Sequence, residues 1–116
     1  MKTMVSLVLA ATLMLGAAPR ERNAEVLSME AIQCKTQVIM RVTLQLDNPP
    51  EIHLIYQLPD ETVFAVLILD QDGEFKEASV LRGSKWVKYK SVAELESSEG
   101  SPCETAEQIL ESRQSV

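Results

Sequence analysis

Between Val38 and Leu46 the chain alternates: Val38, Met40, Val42, Leu44 and Leu46 are apolar, and Ile39, Arg41, Thr43 and Gln45 stand between them. A period of two belongs to a strand whose successive side chains point to opposite faces, one of them buried. The run ends at Asp47-Asn48-Pro49-Pro50, a turn composition. A second alternation, Ile52, Leu54, Tyr56 and Leu58 against His53, Ile55 and Gln57, closes at Leu58-Pro59-Asp60-Glu61. Residues 62–69 are apolar on both faces, which predicts a central strand covered from two sides. Asp72-Gly73 is a hairpin signal. Read as a two-residue loop, it sets Leu69 opposite Lys76 and Leu67 opposite Ala78. The acidic residues a calcium loop would need further on are missing. Residues 85–91, after Arg82-Gly83-Ser84, form the fifth candidate strand.

The ends of the domain read differently. Over residues 23–33, Ala24, Glu25, Leu27, Met29, Glu30 and Ala31 are good helix formers and Asn23 is a candidate cap, so a short helix is expected. The spacing of Leu27, Met29 and Ala31 would also suit a strand. Ser91-Val92-Ala93-Glu94 and Ser101-Pro102-Cys103-Glu104 both have the form of a capping box, and Pro102 stands where a helix accepts proline best. In the second helix Ala106, Ile109 and Leu110 make a narrow apolar stripe with Cys103. Ser97-Ser98-Glu99-Gly100 reads as a flexible polar link. The expected fold is α+β: one small domain with a four- or five-stranded antiparallel sheet, an N-terminal helix and C-terminal helices.

The 116 residues suffice for one domain, here residues 19–116, and 46% hydrophobic content argues against disorder. Residues 1–18 have the layout of a secretory signal peptide: Lys2, an apolar run over residues 4–15, then Gly16, Ala17 and Ala18. That run is shorter than the roughly 20 residues needed to span a bilayer, and Pro19-Arg20-Glu21-Arg22 ends it. No cysteine follows it to carry a lipid anchor. Loss of Lys2 with the leader leaves 10 basic against 17 acidic side chains, a charge of −7 where the whole chain has −6. Such a surface repels phosphate backbones and anionic membranes. An exported domain with Cys34 and Cys103 as its two cysteines is expected to join them, the alternatives being two buried thiols or an intermolecular bridge. The spacing fits neither a CxxC pair nor a zinc site, and neither Asn23 nor Asn48 begins a glycosylation sequon. The expected location is secreted or periplasmic.

Parts for catalysis are missing from the inventory. His53, the one histidine, falls on the face of its strand opposite Ile52, Leu54 and Tyr56 and is expected to point to solvent or a thin second layer. Nothing in the sequence gives it a partner, and no GxSxG nucleophile motif occurs. No enzymatic activity, metal or cofactor is expected. The segment that departs from the acidic background is 82–90, with Arg82, Lys85, Lys88, Lys90 and the only tryptophan, Trp86. With Val87 and Tyr89 turned inward, Trp86, Lys88 and Lys90 line an outer face, a recognition composition. The competing reading is an edge strand whose lysines discourage edge-to-edge pairing. The acidic side chains Glu94, Glu96, Glu99, Glu104, Glu107 and Glu111 read as a solvated helix face.

In layout alone, a leader followed by about 100 residues with an early and a late cysteine and a β-rich middle, the chain resembles small secreted effectors of plant-colonising fungi. It resembles equally small periplasmic inhibitors and immunity proteins of bacteria. The expected function is binding of a macromolecular partner, a protein, through an outer sheet face, with no nucleic acid, no membrane after leader removal, and a monomer or weak dimer. The alternative is an inhibitor or immunity protein that plugs a target's cleft with loop 47–51 or 59–61. Intact mass of the exported protein is expected to give a first residue at Ala18 or Pro19; a soluble species that keeps residues 1–15 would make the leader part of the fold.

Overall fold

The structure is a computed structural model that describes residues 23–114; the expected leader, residues 1–18, lies outside the described residues. Six strands follow one another in chain order: β1 (Ala24–Gln33), β2 (Val38–Leu46), β3 (Glu51–Gln57), β4 (Val63–Asp70), β5 (Phe75–Arg82) and β6 (Lys85–Tyr89). Their order in the sheet is the order in the sequence, every neighbouring pair antiparallel. Two helices close the chain, α1 (Val92–Glu99) and α2 (Pro102–Gln114).

The expected N-terminal helix is instead β1, and it brings the sheet to six strands. It pairs with β2 from Ala24 opposite Leu46 to Gln33 opposite Val38, with a bulge at Leu27. A ten-residue helix of good formers is marginal by itself, whereas a strand laid against β2 gains a ladder of backbone hydrogen bonds. Tertiary pairing therefore overrides propensity here.

The turn between β4 and β5 also differs from expectation. It is a three-residue loop, in which Gly73 N donates to Asp70 O (3.0 Å) and Asp70 N to Glu74 O (2.8 Å). The Asp70 carboxylate holds it by accepting from Asp72 N and Glu74 N, and Gly73 takes φ +85°. Leu69 consequently faces Phe75, Lys76 is the extra residue of a bulge, and Leu67 opposite Ala78 is as expected.

Each face of the sheet carries its own apolar cluster. On one, Ala106 and Ile109 of α2 pack with Ile39, Tyr56, Phe64, Val80 and Tyr89, and Leu95 of α1 joins them partly buried. On the other, Val42, Leu44, Leu46, Ile55, Val63 and Val66 form a second cluster with Val26, Met40, Ile68 and Trp86 against it, and no residue of α1 or α2 belongs to it. β4 supplies both, through Phe64 and Ala65 on the helix side and Val63 and Val66 on the other, as its doubly apolar sequence requires.

Both capping serines act as read: Glu94 N donates to Ser91 Oγ, and Glu104 N to Ser101 Oγ, each at 3.2 Å. At the second the box is reciprocal, since Ser101 N donates to Glu104 Oε1 at 3.0 Å. Cys34, just past β1, is bonded to Cys103 in the first turn of α2, across 69 residues of sequence and a Cα separation of 5.4 Å. In the chain-entropy description a loop of that length restricts the unfolded chain by roughly 4 kcal/mol. A Cys34→Ser, Cys103→Ser double variant is expected to lose about that much stability in chemical denaturation, and unreduced protein to show no reactive thiol. Rapid labelling of both thiols would break the assignment.

Candidate functional site

The segment singled out in the sequence occupies the last hairpin, turned at Gly83 (φ +65°). Its register sets Arg82 opposite Lys85, Leu81 opposite Trp86 and Ser79 opposite Lys88. Period-two geometry then divides the five candidates. Arg82 and Lys85 share the helix side with Tyr89, while Trp86, Lys88 and Lys90 share the other face, so no single patch contains all five. Tyr89 is buried as expected, but Val87 is exposed. Trp86 is half-buried and packs against the second cluster rather than standing clear of the sheet. Its indole is large enough to lie along the apolar residues of that face, so burying part of it is favourable. Lys85 and Lys88 have no ion-pair partner among the described residues; Lys90 Nζ is 3.8 Å from Glu77.

Arg82 is part of a hydrogen-bonded network on the helix side. Its guanidinium forms an ion pair with Glu99, Nε donating to Oε2 at 3.2 Å, and Nη2 also donates to Gln108 Oε1 at 3.0 Å. Glu99 is 4% exposed and accepts from the Tyr89 hydroxyl at 2.6 Å, while its carbonyl accepts from Thr105 Oγ1 at 3.1 Å. A carboxylate this deep persists only with such partners, because an unpaired buried charge is strongly destabilising. The link expected over residues 97–100 is thus the last turn of α1 and its cap, with Gly100 N donating to Glu96 O at 2.9 Å. The expected solvated acidic face loses Glu99 to the interior. A glycine directly after a helical run was the available sign of that C-terminus.

His53 is on the side of β3 that the alternation gives, opposite Leu54 and Tyr56, but it is 7% exposed rather than turned to solvent. It lies between Leu44 and Ile68 across the ladder, and its Nε2 is 3.1 Å from Glu51 Oε1. Lys76 Nζ donates to the other oxygen of Glu51 at 2.7 Å. Among the described residues no group of three or more His, Cys, Asp and Glu could hold a metal ion, and no helix is long and apolar enough to cross a membrane. The loops 47–51 and 59–61 stand at opposite ends of β3, so they cannot enter one cleft together.

The described chain is a single α+β domain: a six-stranded antiparallel meander, two C-terminal helices on one face, and one disulfide. Comparison with protein-family models, with curated proteins and with solved structures finds no match to it. A small disulfide-bonded domain is compatible with an extracytoplasmic location.

The hydrogen bond to Glu99, followed by burial, holds the Tyr89 phenol above its ordinary value of 10.0. Its contribution to stability is therefore complete below pH 10 and is lost as pH rises through the raised folded value. Tyr89→Phe is expected to remove that alkaline decline from a pH series of denaturation midpoints and to leave the neutral-pH fold intact. An unchanged alkaline limb would assign the decline to other groups.

Proposed function

We propose that this chain is an exported binding protein that loses residues 1–18 and then recognises a protein through the sheet face turned away from its helices, with Trp86 as anchor. The observation that carries this reading is the make-up of that face. Trp86 lies at the margin of an apolar cluster to which neither described helix contributes, with Lys88 on the same strand and side and Lys90 just past the strand end, 3.8 Å from Glu77. A half-exposed tryptophan flanked by exposed cations is the composition of a protein-recognition spot. A partner with an apolar centre and an acidic rim would complement it.

In this reading the protein is not an enzyme, Arg82 and Lys85 have no part in docking, and the disulfide keeps the sheet rigid outside the cytoplasm. The cleft-plugging alternative would use one of its two candidate loops, which are at opposite ends of β3.

A photocrosslinking residue at position 86 in the exported chain is expected to capture one dominant protein, and the same residue at Asp60 to capture none. Lys88→Glu with Lys90→Glu is then expected to weaken binding of the purified partner by at least about tenfold. As surface changes, both should leave the denaturation midpoint within about 0.5 kcal/mol. Capture from position 60 and not from position 86 would replace this reading with loop insertion.

A further inference from the structure

On the helix side of the sheet a cavity of about 530 Å³ opens between α1, the start of α2 and strands β3 to β5. Tyr56, Phe64, Leu67 and Val80 make its floor, and Val92 and Leu95 face them from α1. It exists because α1 meets the sheet with little of its surface: Glu99 is its one buried residue, Leu95 is half-buried, and Val92 is 44% exposed. The volume falls within the span of small-molecule sites, about 300–1,000 Å³.

Every charged side chain on its wall is acidic: Glu96, Glu99 and Glu104. Glu99 is already matched by Arg82 and Tyr89. Glu104 is held in place by its reciprocal hydrogen bonds with Ser101, close enough over Gly100 that a Cβ there would lie 2.9 Å from Oε1. Those bonds to Ser101 keep its carboxyl below the usual carboxylate range, with Lys35 a weaker contributor, so it is ionised at neutral pH. Glu96 is exposed and has no ion-pair partner among the described residues. An apolar slot therefore carries one positioned carboxylate and one unmatched carboxylate on its wall.

We infer that this cavity binds a small apolar amine, its hydrocarbon body against Phe64, Leu67 and Leu95 and its ammonium group at the Glu96 and Glu104 carboxylates. The apolar floor supplies affinity, and the acidic wall selects the cation, because an anion of the same shape would meet like charge in a partly desolvated site. The inference does not depend on the docking surface around Trp86, which lies on the other face.

Dansylcadaverine, an apolar fluorophore with a primary amine, tests this on the exported protein, with dansylglycine as the like-sized anion and dansylamide as the neutral body. Saturable fluorescence enhancement is expected for the amine, with affinity at least about tenfold above that of the anion. Leu95→Trp, which fills the slot, should abolish it, and Glu96→Gln should weaken the amine severalfold without affecting dansylamide. Far-UV circular dichroism and the denaturation midpoint check that both variants are folded. The inference is overturned by an absence of saturable binding, by equal affinity for the anion, or by binding that survives both substitutions.

Discussion

A sheet whose central strand is apolar on both sides has to be covered twice, and the two helices among the described residues both lie on one side. The two faces are therefore built differently. Phe64 and Ala65 of β4 turn to α1 and α2, while Val63 and Val66 turn to the second cluster, where Val42 and Ile55 are each 0% exposed. The two residues of β4 on each side are possible because a bulge beside Gln57 shifts the alternation once along the strand. The side that the described helices cover and the opposite side consequently have different chemistry. The first has a buried ion network and an apolar slot, and the second a buried aliphatic cluster with a tryptophan and lysines at its margin.

The buried polar groups are where the helices are fixed to the sheet. Glu99 ends α1, Thr105 is in the first turns of α2, and Arg82 and Tyr89 come from β5 and β6, so one residue, through its carboxylate and its carbonyl, ties four elements together. Because the aliphatic contacts of α1 are few, this network sets its position more than packing does. On the opposite side His53 and Lys76 meet at Glu51, one such polar group within a face that is otherwise mostly aliphatic. Removing Arg82 would leave the Glu99 carboxylate without its ion-pair partner in a poorly hydrated place.

Strands β2 to β6, both helix starts and the disulfide were legible in the sequence because each rests on local information: alternation, turn residues, a capping serine, a pair of cysteines. β1 was not, since Ala24, Glu25, Leu27 and Met29 favour a helix in isolation and only β2 makes them a strand. The basic segment was legible as an alternation but not as a site. The period of two put Lys85 and Trp86 on opposite faces, but the separation of Arg82 from Trp86 comes from the hairpin register, and the Glu99 that claims Arg82 lies 17 residues away and is reached only through the tertiary fold. His53 illustrates the same limit: its face followed from β3, its burial from the residues that flank it on β2 and β4.

The meander has a consequence for the order in which the protein assembles. Each strand pairs with its predecessor, so the sheet can grow by local hairpin closures of low contact order, the contacts that form fastest. Cys34 and Cys103 are the opposite case, since they meet only when the sheet stands complete between them and α2 has docked upon it. Oxidation therefore joins two thiols that stand at bonding distance only in a chain that has already folded. The bond acts as a latch on a finished domain, and it takes no part in guiding the search for it.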